Sequence, residues 1–332
     1  MHGLISPKML SKQLVRLLKK LCINRPEVIS RVISEASKCN TYVETINPHV
    51  SDALHWNVKR DYPETLTSEF FRFSKELMRK LRFGSVDLIA DVTEENFYGT
   101  HTGLYTHGWT GERGVVSRFH YLVVSALFRN KIIPFYVEIL PIGVYIAEAL
   151  GKALDWFKGL NLHIRSVLLD RGFYSRDVLN TLQVERAKYL VFVPKNKWVK
   201  RMINDNPQDC VLEHEIKYTK NKRNCAVSSS HVFFHEQEDY TWVFATNIQF
   251  EDMKMYVSLY KKRWNIETMF RVHDEARIKT KSVQPEIRLF YFLISMLFLL
   301  IWNLYAKDKS SFKRFIIQTC EEIKQLLKKI HA

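Results

Sequence analysis

The chain is poor in glycine, proline and cysteine. Its 332 residues include 11 glycines and 9 prolines, which is too few for a fibrous or low-complexity protein. The five cysteines lie far apart and form no Cys-x-x-Cys pair, so they favour reduced thiols in a cytosolic protein over a disulfide scaffold. The first residues lack the compact apolar stretch and small-residue cleavage site of a signal peptide. We therefore expect a folded cytoplasmic protein.

Positive charge is what the sequence has in excess. The chain carries 50 Lys and Arg against 35 Asp and Glu, a net charge of +15. Counted along the sequence, the net charge is +7 in residues 1–86, zero in 87–188, +1 in 189–249 and +7 in 250–332. Such an excess at both ends predicts a polyanionic partner, nucleic acid before membrane. A well-solvated basic surface without a partner is the alternative.

One long apolar run requires a test for membrane insertion. Residues 289–305 contain no charged side chain and are flanked by Arg288 and Lys307. Seventeen residues lie at the short limit for a membrane-spanning helix. A helix that is apolar on all sides is also found in the core of large proteins. Because no second run of this kind exists, we expect a core helix and no membrane partner.

Hydrophobic periodicity predicts an α/β protein. Apolar runs typical of strands occupy 85–93, 119–128, 132–140, 163–170, 189–195 and 241–248. Helical spacing occupies 67–81, 144–157, 175–184 and 251–277, the first of these with a Ser/Thr-x-x-Glu-like capping sequence. Strands that first form a meander and then alternate with helices predict a mixed sheet flanked by helices.

Composition divides the chain into four parts. We expect a basic, helical, DNA-binding region over 1–84, a catalytic core over 85–195 and 241–308, a β-rich insertion over 196–240, and a basic C-terminal helix over 309–332. The insertion is polar and glycine-free, which breaks the strand-helix rhythm on both sides of it.

Two aspartates lie within or at the end of apolar strands. Asp91 lies in the sequence LIADVT, and Asp170 in VLLDRGF. Carboxylates at the rim of a sheet are held rigidly, and hard cations such as Mg²⁺ bind oxygen ligands. Each aspartate alone is an equally good candidate for a helix cap or an ion pair with a neighbouring arginine.

A stripe on the predicted long helix strengthens the metal hypothesis. Tyr260, Arg263, Glu267 and Arg271 follow at offsets 0, 3, 7 and 11, which places them on one face roughly 80° wide. A carboxylate between arginines suits a metal site that acts on a phosphodiester. The spacing is equally typical of a solvated helix face with intrahelical ion pairs.

Together these motifs resemble a known family. Asp91 in DVT, the LLDRGF sequence around Asp170, and the Tyr260-x2-Arg263-x3-Glu267 pattern are similar to the signature of DDE transposases of the insertion-sequence-four group. The resemblance covers residues 85–305 in the family's order.

The resemblance implies a fold and a chemistry. The family has a ribonuclease-H-like core that cuts and joins DNA with two Mg²⁺ or Mn²⁺ ions. Asp91, Asp170 and Glu267 would be the metal ligands, and Tyr260 and Arg263 would contact the DNA backbone near the cut. By the same analogy the protein would act as a homodimer on DNA, in the nucleoid of a prokaryotic cytoplasm.

One position departs from the family pattern. The family has a lysine seven residues after the glutamate, and here that position is Asp274. Arg271, Arg277 or Lys279 would have to supply the phosphate contact; otherwise this copy is catalytically impaired. Asp87 is a rival for the first metal ligand because it lies four residues before Asp91, on the same strand face.

Other functions stay open at this stage. A metal-dependent nuclease or resolvase without strand transfer would use the same residues, and a DNA-binding protein with a decayed site would keep only the charge. The insertion also contains five cysteines and histidines that could form a zinc site, although their spacing matches no common zinc motif. They are Cys210, His214, Cys225, His231 and His235.

Overall fold

The computed structural model describes most of the chain. The described residues are 26–60, 63–81, 84–99, 103–108, 111, 113–128, 131–216, 226–237, 240–306 and 310–331. Residues 1–25, which begin the expected DNA-binding region, lie outside them.

Within the described residues, four helices precede the first strand. They are α1 (Pro26–Cys39), α2 (Val43–Ile46), α3 (Pro48–Val58) and α4 (Pro63–Leu81). The sequence placed the start of α4 at Thr67, which is four residues too late. Pro63 begins the helix, where its fixed φ and missing N–H are tolerated. The Thr67 hydroxyl donates to the Pro63 carbonyl at 3.0 Å, so Thr67 lies within the helix and does not cap it.

A nine-stranded mixed sheet forms the centre of the described protein. Its strands are β1 (Ser85–Phe97), β2 (His107–Gly108), β3 (Ser117–Phe128), β4 (Lys131–Leu140), β5 (His163–Leu169), β6 (Tyr189–Phe192), β7 (Cys210–Ile216), β8 (Val227–Gln237) and β9 (Tyr240–Thr246). The strand order is β2-β3-β1-β5-β6-β9-β8-β7, and β4 also pairs with β3. The pairs β1–β5 and β5–β6 are parallel, and the other pairs are antiparallel.

The strands predicted from apolar runs are observed. Val86 and the three residues 88–90 of β1 are fully buried, as expected for a strand covered on both faces. β1 is longer than predicted, because after its apolar part it continues to Phe97 through antiparallel pairing with β3. The sequence missed this extension because polar residues fill it.

In the part of the chain that the structure describes, seven α-helices follow the meander. They are α5 (Ile146–Lys158), α6 (Arg176–Val184), α7 (Lys197–Asp205), α8 (Lys254–Lys261), α9 (Trp264–Ala276), α10 (Pro285–Tyr305) and α11 (Phe312–His331). The prediction of one long helix over 251–277 was wrong, because the segment forms two helices, α8 and α9. Backbone bonds of the i→i+3 type separate them: Arg263 N–H donates to the Tyr260 carbonyl and Ile266 N–H to the Arg263 carbonyl, each at 2.8 Å. Such bonds tighten the turn to a 3₁₀ form.

Helix α10 contains the long apolar run. It is long and apolar enough to span a membrane by length and composition, and 94% of its apolar window is buried in the protein. Phe292 of α10 stacks on Tyr121 of β3 with ring centroids 3.9 Å apart. The helix therefore packs in the core, as predicted, and burial accounts for its composition.

The segment predicted as a β-rich insertion, 196–240, contains α7, β7 and the whole of β8. β8 pairs with β9, so these strands extend the central sheet. Tyr174, four residues after Asp170, donates to or accepts from His231 of β8 at 2.8 Å. This contact links the loop after β5 to the added strands.

Candidate active site

Two parallel strands bring the aspartates side by side. Ala90 of β1 pairs with Leu169 of β5 at the end of their parallel ladder. Asp91 and Asp170 follow these two residues directly, so both carboxylates lie at the same edge of the sheet. The Asp91 side chain is further fixed because its Oδ1 accepts the N–H of Val92 at 2.9 Å.

The junction of α8 and α9 faces the same edge. Ile266 and Met269 are buried, as the sequence predicted, and they anchor α9 with Glu267 beside them. Tyr260 is the third buried anchor, with 2% of the residue exposed. Its ring packs among Phe192 and Phe244, at centroid distances of 5.4 and 5.2 Å. Apolar packing thus sets where the polar groups of this junction lie.

Arg263 lies between all three carboxylates. Its Nη2 is 2.6 Å from Glu267 Oε1 and 3.8 Å from Asp170 Oδ1, and its Nη1 is 3.5 Å from Asp91 Oδ2. Only 4% of the arginine side chain is exposed. The sequence placed Arg263 on the same stripe as Glu267 but did not predict that it would be enclosed.

Tyr260 connects the arginine to one aspartate. Arg263 Nε donates to the Tyr260 hydroxyl at 3.1 Å, and that hydroxyl donates to Asp170 Oδ1 at 3.3 Å. Burial raises the pKa of Tyr260, opposed by the charge of Arg263. The phenol is therefore a neutral hydrogen-bonding group that orients Asp170, and it is not poised as a nucleophile.

The electrostatics of Asp91 reflect its enclosure. Burial raises its pKa to about 6; Arg263 and the Val92 N–H oppose the rise, and the charges of Asp170 and Glu267 add to it. Removal from water disfavours an ionised carboxylate, and neighbouring carboxylates do the same. A group with these properties at a sheet edge is typical of a functional site.

The donor set is chemically suited to a hard divalent cation. Three carboxylates from three elements are the ligands that Mg²⁺ and Mn²⁺ prefer. Among the residues that the structure describes, no group of three or more His, Cys, Asp or Glu side chains is spaced to hold one ion as it stands. The guanidinium of Arg263 separates the carboxylates. Asp91, Asp170 and Glu267 thus have the right chemistry, in an arrangement closed around an internal cation.

The two other predicted DNA contacts are Arg271, in α9, and Arg277, directly after its last residue. Arg271 is exposed on the helix surface. Arg277 Nη1 is 3.8 Å from Asp274 Oδ1, so the acidic side chain at the family's lysine position has a basic neighbour. Neither arginine joins the group around Arg263.

The rival aspartate has a different environment. Asp87 accepts hydrogen bonds from Arg165 Nη2 at 2.7 Å and from the Ser166 hydroxyl at 2.9 Å. It is buried between β1 and β5, three residue pairs before the end of the ladder at Ala90 and Leu169. Asp87 therefore stabilises the pairing of these strands and is separate from the candidate site.

Two of the three described histidines of the zinc hypothesis, His214 and His231, have other contacts between α7, β7, β8 and the loop after β5. His231 Nδ1 lies 2.9 Å from the Ser229 carbonyl and its Nε2 2.8 Å from the Tyr174 hydroxyl. The ring of His214 stacks on Trp198 at 3.6 Å. Cys225 lies outside the described residues. The contacts of the two histidines fit packing and hydrogen bonding between α7, β7 and β8.

His231 gives a prediction for acid stability. Burial lowers its pKa to about 4, opposed by the bond to the Ser229 carbonyl. The unfolded chain takes up the proton near pH 6.5 and the folded protein does not, so stability is lost as the pH falls from about 6.5 to about 4. We expect the wild type to lose up to about 3 kcal/mol through this group. His231→Asn has no imidazole to protonate. We expect it to be less stable than the wild type at pH 8, and its free energy of unfolding should fall less as the pH drops from about 6.5 to about 4.

Denaturant unfolding of both proteins at a series of pH values measures this difference. His163→Asn is the control, because it makes the same substitution at an exposed histidine. Identical pH dependence of the wild type and His231→Asn would show that the buried imidazole does not contribute.

The comparisons with known proteins point to one kind of enzyme. Residues 144–304 match the family model of the transposase DDE domain. This match includes Asp170, Tyr260, Arg263 and Glu267 and begins after the strand that carries Asp91. No curated protein sequence matches the chain.

Solved structures provide the comparison of folds. The chain is similar to piggyBac transposase in the cryo-EM structure of its synaptic complex with hairpin DNA, with a TM-score of 0.58 and 11% sequence identity. The match covers 99% of this chain and 83% of that one. It confirms the predicted ribonuclease-H-like α/β fold.

A second structure is more distant. It is Ciona intestinalis endonuclease V in complex with an inosine-containing DNA, at a TM-score of 0.25 and 12% identity, covering 59% of this chain and 88% of that one. That TM-score is too low to indicate a common fold. Residues 144–304 match a transposase DDE domain model, and the first structure shows the fold of the chain.

Proposed function

We propose that the protein is a transposase of the insertion-sequence-four group, which cleaves DNA at the ends of its element and joins the ends to target DNA. The observation that carries this proposal is the convergence of Asp91, Asp170 and Glu267 from β1, the end of β5 and α9 on one guanidinium. Residues so far apart in sequence meet at one sheet edge, where α/β proteins commonly place their sites.

Each side chain has a role in this proposal. Asp91, Asp170 and Glu267 hold the divalent cations, Mg²⁺ or Mn²⁺. Bound there, two such ions would supply activation of an attacking water or 3′-hydroxyl and stabilisation of the leaving oxygen. Tyr260 holds Asp170 in position through its hydroxyl. Direct contact of Tyr260 and Arg263 with the DNA backbone stays a prediction and requires both buried side chains to become accessible.

Arg271 and Arg277 are the proposed phosphate contacts beyond the carboxylates. Arg271 is exposed on α9, about one helical turn after Glu267. In this proposal a strand of DNA that leaves the site passes there. Arg277 lies beside Asp274. Its guanidinium offsets the negative charge at the position where the family has a lysine, which favours a functional copy over a decayed one.

Arg271 yields a measurable prediction. We expect Arg271→Ala to weaken DNA binding to all sequences alike and to reduce the slope of log K against log salt concentration by about 1, the release of one counterion. Fluorescence anisotropy over a salt series measures the slope. Lys152→Ala is the control, because Lys152 is already paired with Glu148 at 3.0 Å. Equal slopes for Arg271→Ala and wild type would remove Arg271 from the interface.

DNA is the proposed partner, and a homodimer on DNA the proposed assembly, since joining two element ends requires both to be held together. The high positive charge of residues 250–332 supports the first part of this proposal. A place in the prokaryotic cytoplasm, at the nucleoid, follows from the proposed substrate.

A plasmid assay tests the function. A supercoiled plasmid carrying the reading frame with its native flanks is incubated with the purified protein and Mg²⁺, Mn²⁺ or EDTA. We expect cleavage at the element ends and joined products in either metal, and neither in EDTA. Cleavage without joined products would favour the nuclease or resolvase alternative. Salt-sensitive DNA binding without metal-dependent cleavage would favour the decayed DNA-binding protein.

A further inference from the structure

Arg263 balances only part of the charge around it. One guanidinium lies between three carboxylates, at 2.6, 3.5 and 3.8 Å from Glu267, Asp91 and Asp170. Ionised carboxylates gathered around one guanidinium repel one another when its positive charge is removed. The position of Arg263 is therefore a condition for the three to share one place.

The contacts of the guanidinium show that its fit is incomplete. Nη1 is buried and has no hydrogen-bond partner, although Asp91 Oδ2 is 3.5 Å away. A buried N–H without a partner is unfavourable. Charge, more than hydrogen-bond geometry, thus holds this end of Arg263, and such a contact is exchangeable for one with a better-fitting cation.

The guanidinium is bonded to one buried partner and one exposed partner. Nε is bonded to the buried Tyr260 hydroxyl, and the guanidinium carbon lies 5.4 Å from the centre of the Tyr260 ring. Nη2 is bonded to Glu267, whose side chain is 61% exposed. Water can replace a partner at the exposed side, so the bond to Glu267 is the one that breaks at least cost.

We propose that Arg263 is the internal counter-ion of this site: it keeps Asp91, Asp170 and Glu267 assembled before a divalent cation enters, and entry of the cation displaces its guanidinium from Glu267. This inference rests on the proposed function, because it requires the carboxylates to be the metal ligands. It makes Arg263 a positioning residue with two opposing effects. The residue stabilises the metal-free protein and weakens cation binding.

The two effects are separable in one variant. Arg263→Gln removes the charge and keeps a hydrogen-bonding side chain. We expect its metal-free melting temperature to fall by about 5 °C or more, because the buried carboxylates lose their counter-ion. We expect its affinity for Mn²⁺ to rise about tenfold, within the range of typical coupling between two ligands. A residue that only packs, or only binds DNA, would not produce the second effect.

The experiment measures thermal unfolding of the full chain, without DNA, over a Mn²⁺ series from micromolar to millimolar concentrations. Lys262→Gln is the matched control. Lys262 is the exposed neighbour of Arg263 in sequence, so the control removes the same charge from the same turn. Its metal-free melting temperature and its Mn²⁺ midpoint should equal those of the wild type.

The outcomes separate this inference from the proposed function. A wild type that Mn²⁺ does not stabilise, alone or with DNA, overturns both. A wild type that binds Mn²⁺ with a midpoint equal to or lower than that of Arg263→Gln overturns the counter-ion alone. If Arg263→Gln folds only with Mn²⁺, the proposal is supported in its extreme form. If Arg263→Gln folds neither with nor without Mn²⁺, Arg263→Lys is measured instead. Mn²⁺ binding to Arg263→Lys that is no weaker than to the wild type supports the proposal, and weaker Mn²⁺ binding overturns it.

Discussion

Asp170→Asn is expected to abolish metal-dependent DNA cleavage while leaving DNA binding intact. The substitution keeps the volume of the side chain and an acceptor for the Tyr260 hydroxyl, which lies 3.3 Å from Asp170 Oδ1. It removes one of the charges that would hold the cations. A bound metal ion supplies several kcal/mol of transition-state stabilisation, so the cleavage rate should fall by at least about a thousandfold.

The comparison variant for this measurement lies seven residues away. Asp177 has nearly the same side-chain exposure as Asp170, 32% against 33%, and pairs with Arg176. Asp177→Asn removes the same charge from the same region of the protein and should cleave at the wild-type rate. A tenfold difference in rate corresponds to about 1.4 kcal/mol of activation free energy. Cleavage by Asp170→Asn within about tenfold of the wild-type rate would contradict the assignment of Asp170 as a metal ligand.

Among the substitutions proposed here, Arg288→Met is expected to lower the free energy of unfolding most. Arg288 of α10 donates from Nη1 to Glu95 Oε1 of β1 at 2.8 Å, and only 6% and 12% of the two side chains are exposed. The guanidinium carbon also lies 5.2 and 4.9 Å from the ring centres of Phe97 and Phe119. Removal of one partner leaves the Glu95 charge buried, so the free energy of unfolding should fall by about 3–5 kcal/mol.

Chemical denaturation of the variant and a double variant tests the cause. Glu95→Gln combined with Arg288→Met removes the orphaned charge and should restore much of the loss, because a buried pair replaced on both sides is often nearly neutral. Lys152→Met, which breaks an exposed ion pair with Glu148, should cost less than about 1 kcal/mol. A cost for Arg288→Met as small as that for Lys152→Met would mean that the core pair does not hold α10 to the sheet.

The carboxylate positions could be predicted because local pattern determines them. Apolar runs identify β1 and β5 and place Asp91 and Asp170 within or at the end of these strands, whereas only the family resemblance implied that the two carboxylates share one site. Helical spacing predicted that Tyr260, Arg263 and Glu267 lie close together. Arg263 bonds to both of the others, although the three belong to two helices and the turn between them. Spacing gives the direction of a side chain around its helix.

Depth and long-range pairing could not be predicted in this way. Arg263 is buried against Tyr260 and the carboxylates that follow two strands, and no local pattern contains that information. Arg288 and Glu95 are 193 residues apart in sequence, so only the packing of α10 on the sheet reveals their ion pair. The division between α8 and α9 was missed because two i→i+3 bonds interrupt a pattern that is otherwise helical.

The location of bound Mn²⁺ tests the central claim most directly. Crystals of the protein with DNA and Mn²⁺, measured at the manganese absorption edge, would give anomalous peaks at each bound ion. We predict peaks within about 2.0–2.3 Å of carboxylate oxygens of Asp91, Asp170 and Glu267, with the Arg263 guanidinium withdrawn from Glu267. Peaks held by other residues, in a complex that cleaves its DNA, would contradict the account.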